Sequence, residues 1–355
     1  NFGVDFAVLQ NRINITADAY RRLADGQIMK STVPLETGES SLTTNIGSVQ
    51  NAGIELGVNF GVIRNQNFTW DVNVAFARNW SKIKELPSGD DVSNNWFIGE
   101  RLNVLRDYTY AGVITADGVT MHTINGDKHY TLQEVYDKYG PKSPNKLKWY
   151  EGQMAVNDWN DDGKINDEDK QIYGCTDPKW TGSLSSTMTY KGFDFSFMLY
   201  TKQGQWSRSY FHEQYMDISD RGRQKMSFDY YIPAGTPVLD KATGDITYLE
   251  TPHMGAYPYP NNYEKTGGGY FSKSSSGVRY QKTSFVKVKN ITLGYTFPKK
   301  WMSKIAVKHL RLYVNVLNPF CFTGYDGFDP EWASANLTDG GPASVTYQIG
   351  ANIKF

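Results

Sequence analysis

Ser344–Phe355 reads SVTYQIGANIKF, and its letters alternate. Val345, Tyr347, Ile349, Ala351, Ile353 and Phe355 share one parity; Thr346, Gln348, Gly350, Asn352 and Lys354 share the other. A period of two belongs to a β-strand, whose successive side chains point to opposite faces. The same pattern recurs upstream. Ile54, Leu56, Val58 and Phe60 oppose Glu55, Gly57 and Asn59, and Phe68, Trp70, Val72, Val74 and Phe76 oppose Asp71 and Asn73. Phe193, Phe195, Phe197 and Leu199 oppose Asp194 and Ser196, and Ile291, Leu293, Tyr295 and Phe297 oppose Asn290, Thr292 and Gly294. With Phe2–Val8, the run beginning at Ile13, Trp180–Tyr190, the run Leu310–Val316 and the final segment, about nine strands are expected.

The composition suits a sheet with lipid on one side. The 355 residues carry 37 basic and 37 acidic side chains, so no net charge favours nucleic acid as a partner. Aromatic residues reach 14%, yet mean hydropathy is −0.53. A helical membrane protein needs runs of about 20 apolar residues, and none occurs. A transmembrane barrel hides its apolar signal in every second residue.

Connections of two kinds alternate along the chain. Short ones fall at Gln10–Asn11, Gly61–Asn67, Lys191–Gly192 and Pro298–Lys308, and long ones at about 25–44, 84–179, 207–282 and 318–343. Outer-membrane barrels show this alternation, with short periplasmic turns and long extracellular loops. The expected fold is therefore all-β, a transmembrane antiparallel β-barrel, with residues 1–355 forming one part of it and the last strand descending to the periplasm. NFGVDFAVLQ has neither a basic leader nor a cleavage site and reads as mid-strand, so further strands are expected before it. Arg21, Arg78, Lys287 and Lys289 fall on the lipid-facing parity at the extracellular strand ends. There they would form a cationic collar for lipopolysaccharide phosphates, or stand as ordinary solvated strand ends.

DWNDDGKINDED, Asp158–Asp169, has the spacing of a twelve-position calcium loop. Asp158, Asn160 and Asp162 take positions 1, 3 and 5, and Gly163 makes the sharp turn at 6. Lys164 offers its carbonyl at 7, Asn166 stands at 9 and Asp169 at 12. A structural Ca2+ (or Mg2+) here would brace the long loop. An acidic turn without metal has the same composition.

No catalytic set emerges. HEQYM at His212–Met216 lacks the second histidine of a zinc protease, and Asp329 and Glu331 in FDPE are not shown to flank any substrate. Cys175 and Cys321 match no metal or redox spacing. The protein is expected to be no enzyme and to use no organic cofactor. The aromatic outer loops offer flat rings for sugars or peptide side chains; Trp206, Tyr210, Arg221 and Tyr230 are the candidate ligand residues.

Five stretches, in order and nearly spanning the chain, resemble the C-terminal part of a SusC/RagA-type TonB-dependent outer-membrane transporter. They are FGVDFAVLQNRINITADAY, NIGSVQNAGIELGVNF, DWNDDGKINDEDKQIYGCTDPKWTGSLSS, TSFVKVKNITLGYTFP and LYVNVLNPFCFTGYDGFDPE. The resemblance implies a barrel of about 22 strands with a plugged lumen, of which this chain supplies the last nine, with plug and TonB-contacting segment elsewhere. It also implies a SusD-like lipoprotein lid and TonB-driven import of oligosaccharides or oligopeptides in a Gram-negative outer membrane. The terminal Phe355 resembles the signal read by the barrel-assembly machinery. The alternative is a surface scaffold or adhesin that holds lipoproteins without transport.

Overall fold

The computed structural model describes residues 1–32, 41–86, 89–140, 147, 150–215, 229–259, 278–334 and 341–355. Nine strands form one antiparallel sheet whose order follows the chain. They are β1 (Phe2–Val8), β2 (Ile13–Thr32), β3 (Ser41–Arg64), β4 (Phe68–Glu85), β5 (Trp180–Tyr190), β6 (Phe193–Gln203), β7 (Phe285–Thr296), β8 (His309–Thr323) and β9 (Thr346–Lys354).

Register turns the alternation of single strands into two continuous faces. Phe6, Ile15, Val58, Val74, Leu184, Leu199, Val288 and Phe320 stand side by side across eight strands. A second apolar rung joins Trp70, Met188, Phe195, Leu293, Val314 and Ile349. The rung next to it, on the other face, carries Asp71, Thr187, Ser196, Thr292, Asn315 and Gln348. Its amides and hydroxyls bond across strands, Thr292 to Asn315 at 2.9 Å and Asn315 to Gln348 at 3.0 Å. Each apolar side chain moved from water into hydrocarbon contributes about 25 cal/mol per Å². A one-residue slip would exchange every rung and forfeit that term, so the register is strongly specified.

One irregularity changes the assignment of faces. Between Met198 and Leu199, β6 advances one residue while β7 advances two, from Asn290 to Val288. Lys289 is the extra residue of a β-bulge, and a bulge reverses the parity beyond it. Val288 thus joins the lipid rung, and Lys287 shares a rung with Tyr200 and Cys321 on the opposite face. The expected collar therefore loses Lys287 and Lys289, and of its four members Arg21 and Arg78 keep the lipid-facing parity. Arg78 lies 4.6 Å from the Trp80 ring, and Arg21 donates to Gln50 at 3.0 Å.

The first long connection also differs from expectation. β2 and β3 stay paired out to Thr32 and Ser41, so strand occupies most of 25–44. The other long connections run from β4 to β5, from β6 to β7 and from β8 to β9. The first of these has its own apolar core, built around Ile114, Met121, Val135, Tyr139, Tyr150 and Val156. Two short strands, Val104–Tyr108 and Tyr110–Val113, also lie in it.

On the polar face near the short turns, Gly294 of β7 lies between Asp194 of β6 and Arg311 of β8. Arg311 grips Asp194 in a two-pronged ion pair, at 2.9 Å from Nε and 2.5 Å from Nη2. A Cβ at Gly294 would stand 2.5 Å from the guanidinium and 2.6 Å from the carboxylate, so the pair crosses β7 because that residue has no side chain. Gly294→Val should part the pair and cost about 1–3 kcal/mol, the range for overpacking. Loss of heat resistance of the folded band on a gel would register it; an unshifted transition would contradict the close approach.

Candidate functional site

At the end of the sheet opposite the short turns, segments from three long connections knit together. Short two-stranded ladders order parts of them, such as Trp206–Arg208 on Tyr280–Lys282, and side-chain bonds join one connection to the next. Asp107, from the β4–β5 connection, receives Arg279 Nη2 at 2.7 Å and the Tyr280 hydroxyl at 3.1 Å from the β6–β7 connection. Tyr231 donates to Glu151 at 2.7 Å, and Tyr110 to the Ala256 carbonyl at 3.0 Å. The β8–β9 connection joins through the Tyr210 amide, which donates to the Ala333 carbonyl at 3.0 Å.

Ser209, His212 and Asp326 form a chain of bonds at this junction. Ser209 Oγ lies 2.7 Å from His212 Nδ1, and His212 Nε2 lies 2.6 Å from Asp326 Oδ1. The Tyr325 hydroxyl lies 2.6 Å from Ser209 Oγ, and the Tyr257 hydroxyl donates to Asp326 Oδ2. The residue types match those of a hydrolase triad. The setting does not, because Ser209 and His212 are both 0% exposed and no carbonyl substrate can reach the hydroxyl. The chain is a brace joining α2 (Tyr210–Tyr215), the loop at Tyr257 and the loop at Asp326. Burial pushes the Asp326 carboxyl up, but its bonds from His212 and Tyr257 hold it below the ordinary range.

A second brace fastens the FDPE loop to the sheet. Lys287 Nζ lies 2.6 and 2.8 Å from the two oxygens of Asp329 and 2.6 Å from Glu331. Lys289 adds a bond to Glu331 at 2.8 Å. The Lys287 ammonium is almost fully buried, which is tolerable only because two carboxylates surround it.

The candidate ligand residues divide. Trp206, in the strand Trp206–Arg208, is half-buried, with the Tyr173 ring 5.7 Å away and the Lys282 ammonium 5.4 Å above it. Tyr210 is also half-buried, with the Arg208 guanidinium 5.1 Å over its ring. Tyr230 is buried, and burial pushes its phenol up to about 12. Arg221 lies outside the described residues. Trp206 and Tyr210 thus offer ring surface, whereas Tyr230 packs inside the loops.

Sequence reading missed Ser209, Tyr257 and Asp326 as partners of His212. HEQYM was visible, but Asp326 lies 114 positions away, beyond any local pattern. Both cysteines are free thiols, Cys175 buried and Cys321 exposed.

No family model matches the chain. It is 29% identical over its whole length to TonB-dependent receptor P39 of Formosa agariphila, covering 35% of that protein. It is 28% identical to TonB-dependent receptor SusC of Bacteroides thetaiotaomicron, again over its whole length and 31% of that protein. The chain therefore spans about a third of the length of the curated relatives it matches. Among solved structures, the RagAB peptide transporter superposes with a TM-score of 0.65 at 18% identity, over 99% of this chain and 34% of that one. The RagAB peptide importer in its closed-closed state gives 0.61 over 99% of this chain and 35% of that one. The resemblance carried by the five motifs holds across all 355 residues: the chain is similar throughout to SusC/RagA-type TonB-dependent outer-membrane transporters and forms antiparallel strands of such a β-barrel in the outer membrane.

Proposed function

We propose that the protein containing this chain imports large nutrient oligomers, oligosaccharides or oligopeptides, across the outer membrane under TonB control, with a SusD-like lipoprotein seated on the braced loops. The observation that carries the reading is the polar rung from Asp71 to Gln348. It runs unbroken across six of the nine strands, β4 to β9, while the neighbouring rung from Trp70 to Ile349 on the other face is apolar. Such a sheet suits a wall between hydrocarbon and a water-filled lumen. Trp206 and Tyr210 supply ring surface beside cationic groups at the mouth, which fits sugar faces and peptide side chains alike. Arg21 and Arg78, on the lipid-facing parity beyond the apolar runs of their strands, suit lipopolysaccharide phosphates.

The test is uptake by cells of mixed fluorescent dextrin oligomers and mixed fluorescent peptides, with and without a protonophore. One class should accumulate, and the protonophore should abolish it. Trp206→Ala with Tyr210→Ala should reduce the uptake at least tenfold at unchanged barrel abundance. If neither class accumulates while a lipoprotein still co-purifies, the scaffold reading replaces import.

A further inference from the structure

The lipid-facing rung beside the short turns is aromatic. Phe68, Tyr190, Phe193 and Tyr295 stand on four neighbouring strands, followed by Leu312. The Phe193 and Tyr295 rings lie 4.5 Å apart, Tyr295 and Phe297 5.0 Å, and Phe297 and Trp301 6.5 Å. Such a girdle marks the depth at which hydrocarbon gives way to head groups. Trp301 carries it off the strand and into the turn that joins β7 to β8.

That turn is longer than chain reversal requires. Two residues, Lys191 and Gly192, suffice between β5 and β6, whereas 297–308 lie between β7 and β8. A one-turn helix, Lys299–Met302, runs into a 3-10 turn, Ser303–Ile305. Met302 is buried, the Val307 amide donates to the Met302 carbonyl at 3.2 Å, and the Lys308 amide donates to the Lys354 carbonyl at 2.8 Å. These contacts hold the turn to the sheet. Pinned in this way, it leaves Trp301 55% and Ile305 61% exposed, four positions apart.

The same stretch is cationic. Lys299, Lys300, Lys304 and Lys308 fall within it, and no Asp or Glu does. All four are exposed, and among the described residues none is in an ion pair. Lys191, in the neighbouring turn, is exposed too, its ammonium 5.3 Å from the Tyr190 ring of the girdle. Asp194, the acid next to that turn, belongs to the opposite face and is held by Arg311. Lysines beside an aromatic edge that already faces the bilayer attract anionic lipid.

The short-turn end of an outer-membrane barrel is the periplasmic one, and the leaflet there is phospholipid. We propose that 298–308 is an interfacial anchor for anionic phospholipid: Trp301 and Ile305 enter the acyl boundary, and Lys299, Lys300 and Lys304 hold the phosphates. A phosphatidylglycerol head group carries an unneutralised phosphate, whereas phosphatidylcholine and phosphatidylethanolamine carry their own cation. Each lysine near such a surface contributes about fivefold in association. The anchor is independent of what the barrel carries.

The test is photo-cross-linking of the full-length protein in phosphatidylethanolamine vesicles. These contain an equal small fraction of photoactivatable phosphatidylglycerol or phosphatidylcholine, and the cross-linked peptides are mapped by mass spectrometry. Phosphatidylglycerol should label 298–308 at least fivefold more than phosphatidylcholine. Lys299→Gln with Lys300→Gln and Lys304→Gln should bring that ratio below twofold. Raising salt from about 0.1 M to about 1 M cuts the Debye length from about 10 to about 3 Å and should lower the ratio at least threefold. Trp301→Ala should reduce labelling of the turn by both lipids at least threefold. Labelling of β7 by phosphatidylcholine should stay unchanged in every variant, which shows that the barrel is folded. Equal labelling of the turn by the two lipids, a ratio indifferent to the lysines or to salt, or labelling indifferent to Trp301 would each overturn the proposal. So would a turn that neither lipid labels while β7 reacts, because the turn would then face the periplasm and suit a protein partner.

Discussion

Lys287→Met should detach the FDPE loop from the sheet at a cost of about 3–5 kcal/mol, the range for removing one partner of a buried ion pair. The variant leaves Asp329, 7% exposed, with its charge uncompensated. Lys289 remains for Glu331 but is bonded to no oxygen of Asp329 among the contacts described. Hydrogen exchange in the purified full-length protein should show amides of the loop from Tyr325 to Trp332 losing about 10²- to 10⁴-fold protection, with β7 itself little changed. Adding Asp329→Asn should restore part of the loss, because the bare charge goes with it. Unchanged protection in the single variant would mean that the loop stays in place without the cation.

The same brace has a pH dependence whose sign is fixed. Burial pushes the Glu331 carboxyl up, but bonds from Lys287 and Lys289 prevail and hold it below the ordinary glutamate range. A carboxylate whose folded value is depressed contributes stability above its unfolded value and loses it as pH falls through the folded one. The loop should therefore hold at neutral pH and loosen only in acid, below the range where exposed glutamates titrate.

His212→Phe should have the next largest effect. The ring fills the space, but Ser209 and Asp326 lose their common partner. Each buried group left unsatisfied costs about 1–3 kcal/mol. Ser209 keeps Tyr325 and Asp326 keeps Tyr257, which limits the loss to the lower part of that range for each. Exchange should rise together at α2, at Tyr257 and at Tyr325–Asp326, because one imidazole joins all three. A rise confined to α2 would show that the loops are held independently. Asp326 is also held below its ordinary range, so acid should weaken this brace in the same direction as that at Glu331.

The sheet was legible because lipid and water impose opposite demands on successive residues. Trp70, Phe195 and Leu293 announce one rung in three separate strands, and the structure sets them side by side with Met188. Lys287 was misread because nothing local distinguishes a bulge at Lys289 from regular strand, and a single extra residue inverts all that follows. The extension of β2 and β3 was hidden for a different reason. QIMKST and SLTTN, at 27–32 and 41–45, carry no period of two, while the backbone ladder continues through them. The spacing of Asp158–Asp169 was visible, but Tyr139 and the buried state of Asp158 depend on α1 (Leu132–Tyr139), which packs there through the core around Val135. His212 and Asp326 meet only when three connections fold over one another.

The direct measurement of the two-faced wall is a spin-label scan of β3 from Ile54 to Phe60, one residue at a time, in the full-length protein reconstituted in lipid with Cys175→Ser and Cys321→Ser. Labels at 54, 56, 58 and 60 should be relaxed by oxygen dissolved in the bilayer, and labels at 55, 57 and 59 by a water-soluble nickel chelate, with a period of two. Equal access to both reagents along the strand, a period near 3.6, or the reverse parity would contradict a barrel wall with hydrocarbon on one side and an aqueous lumen on the other.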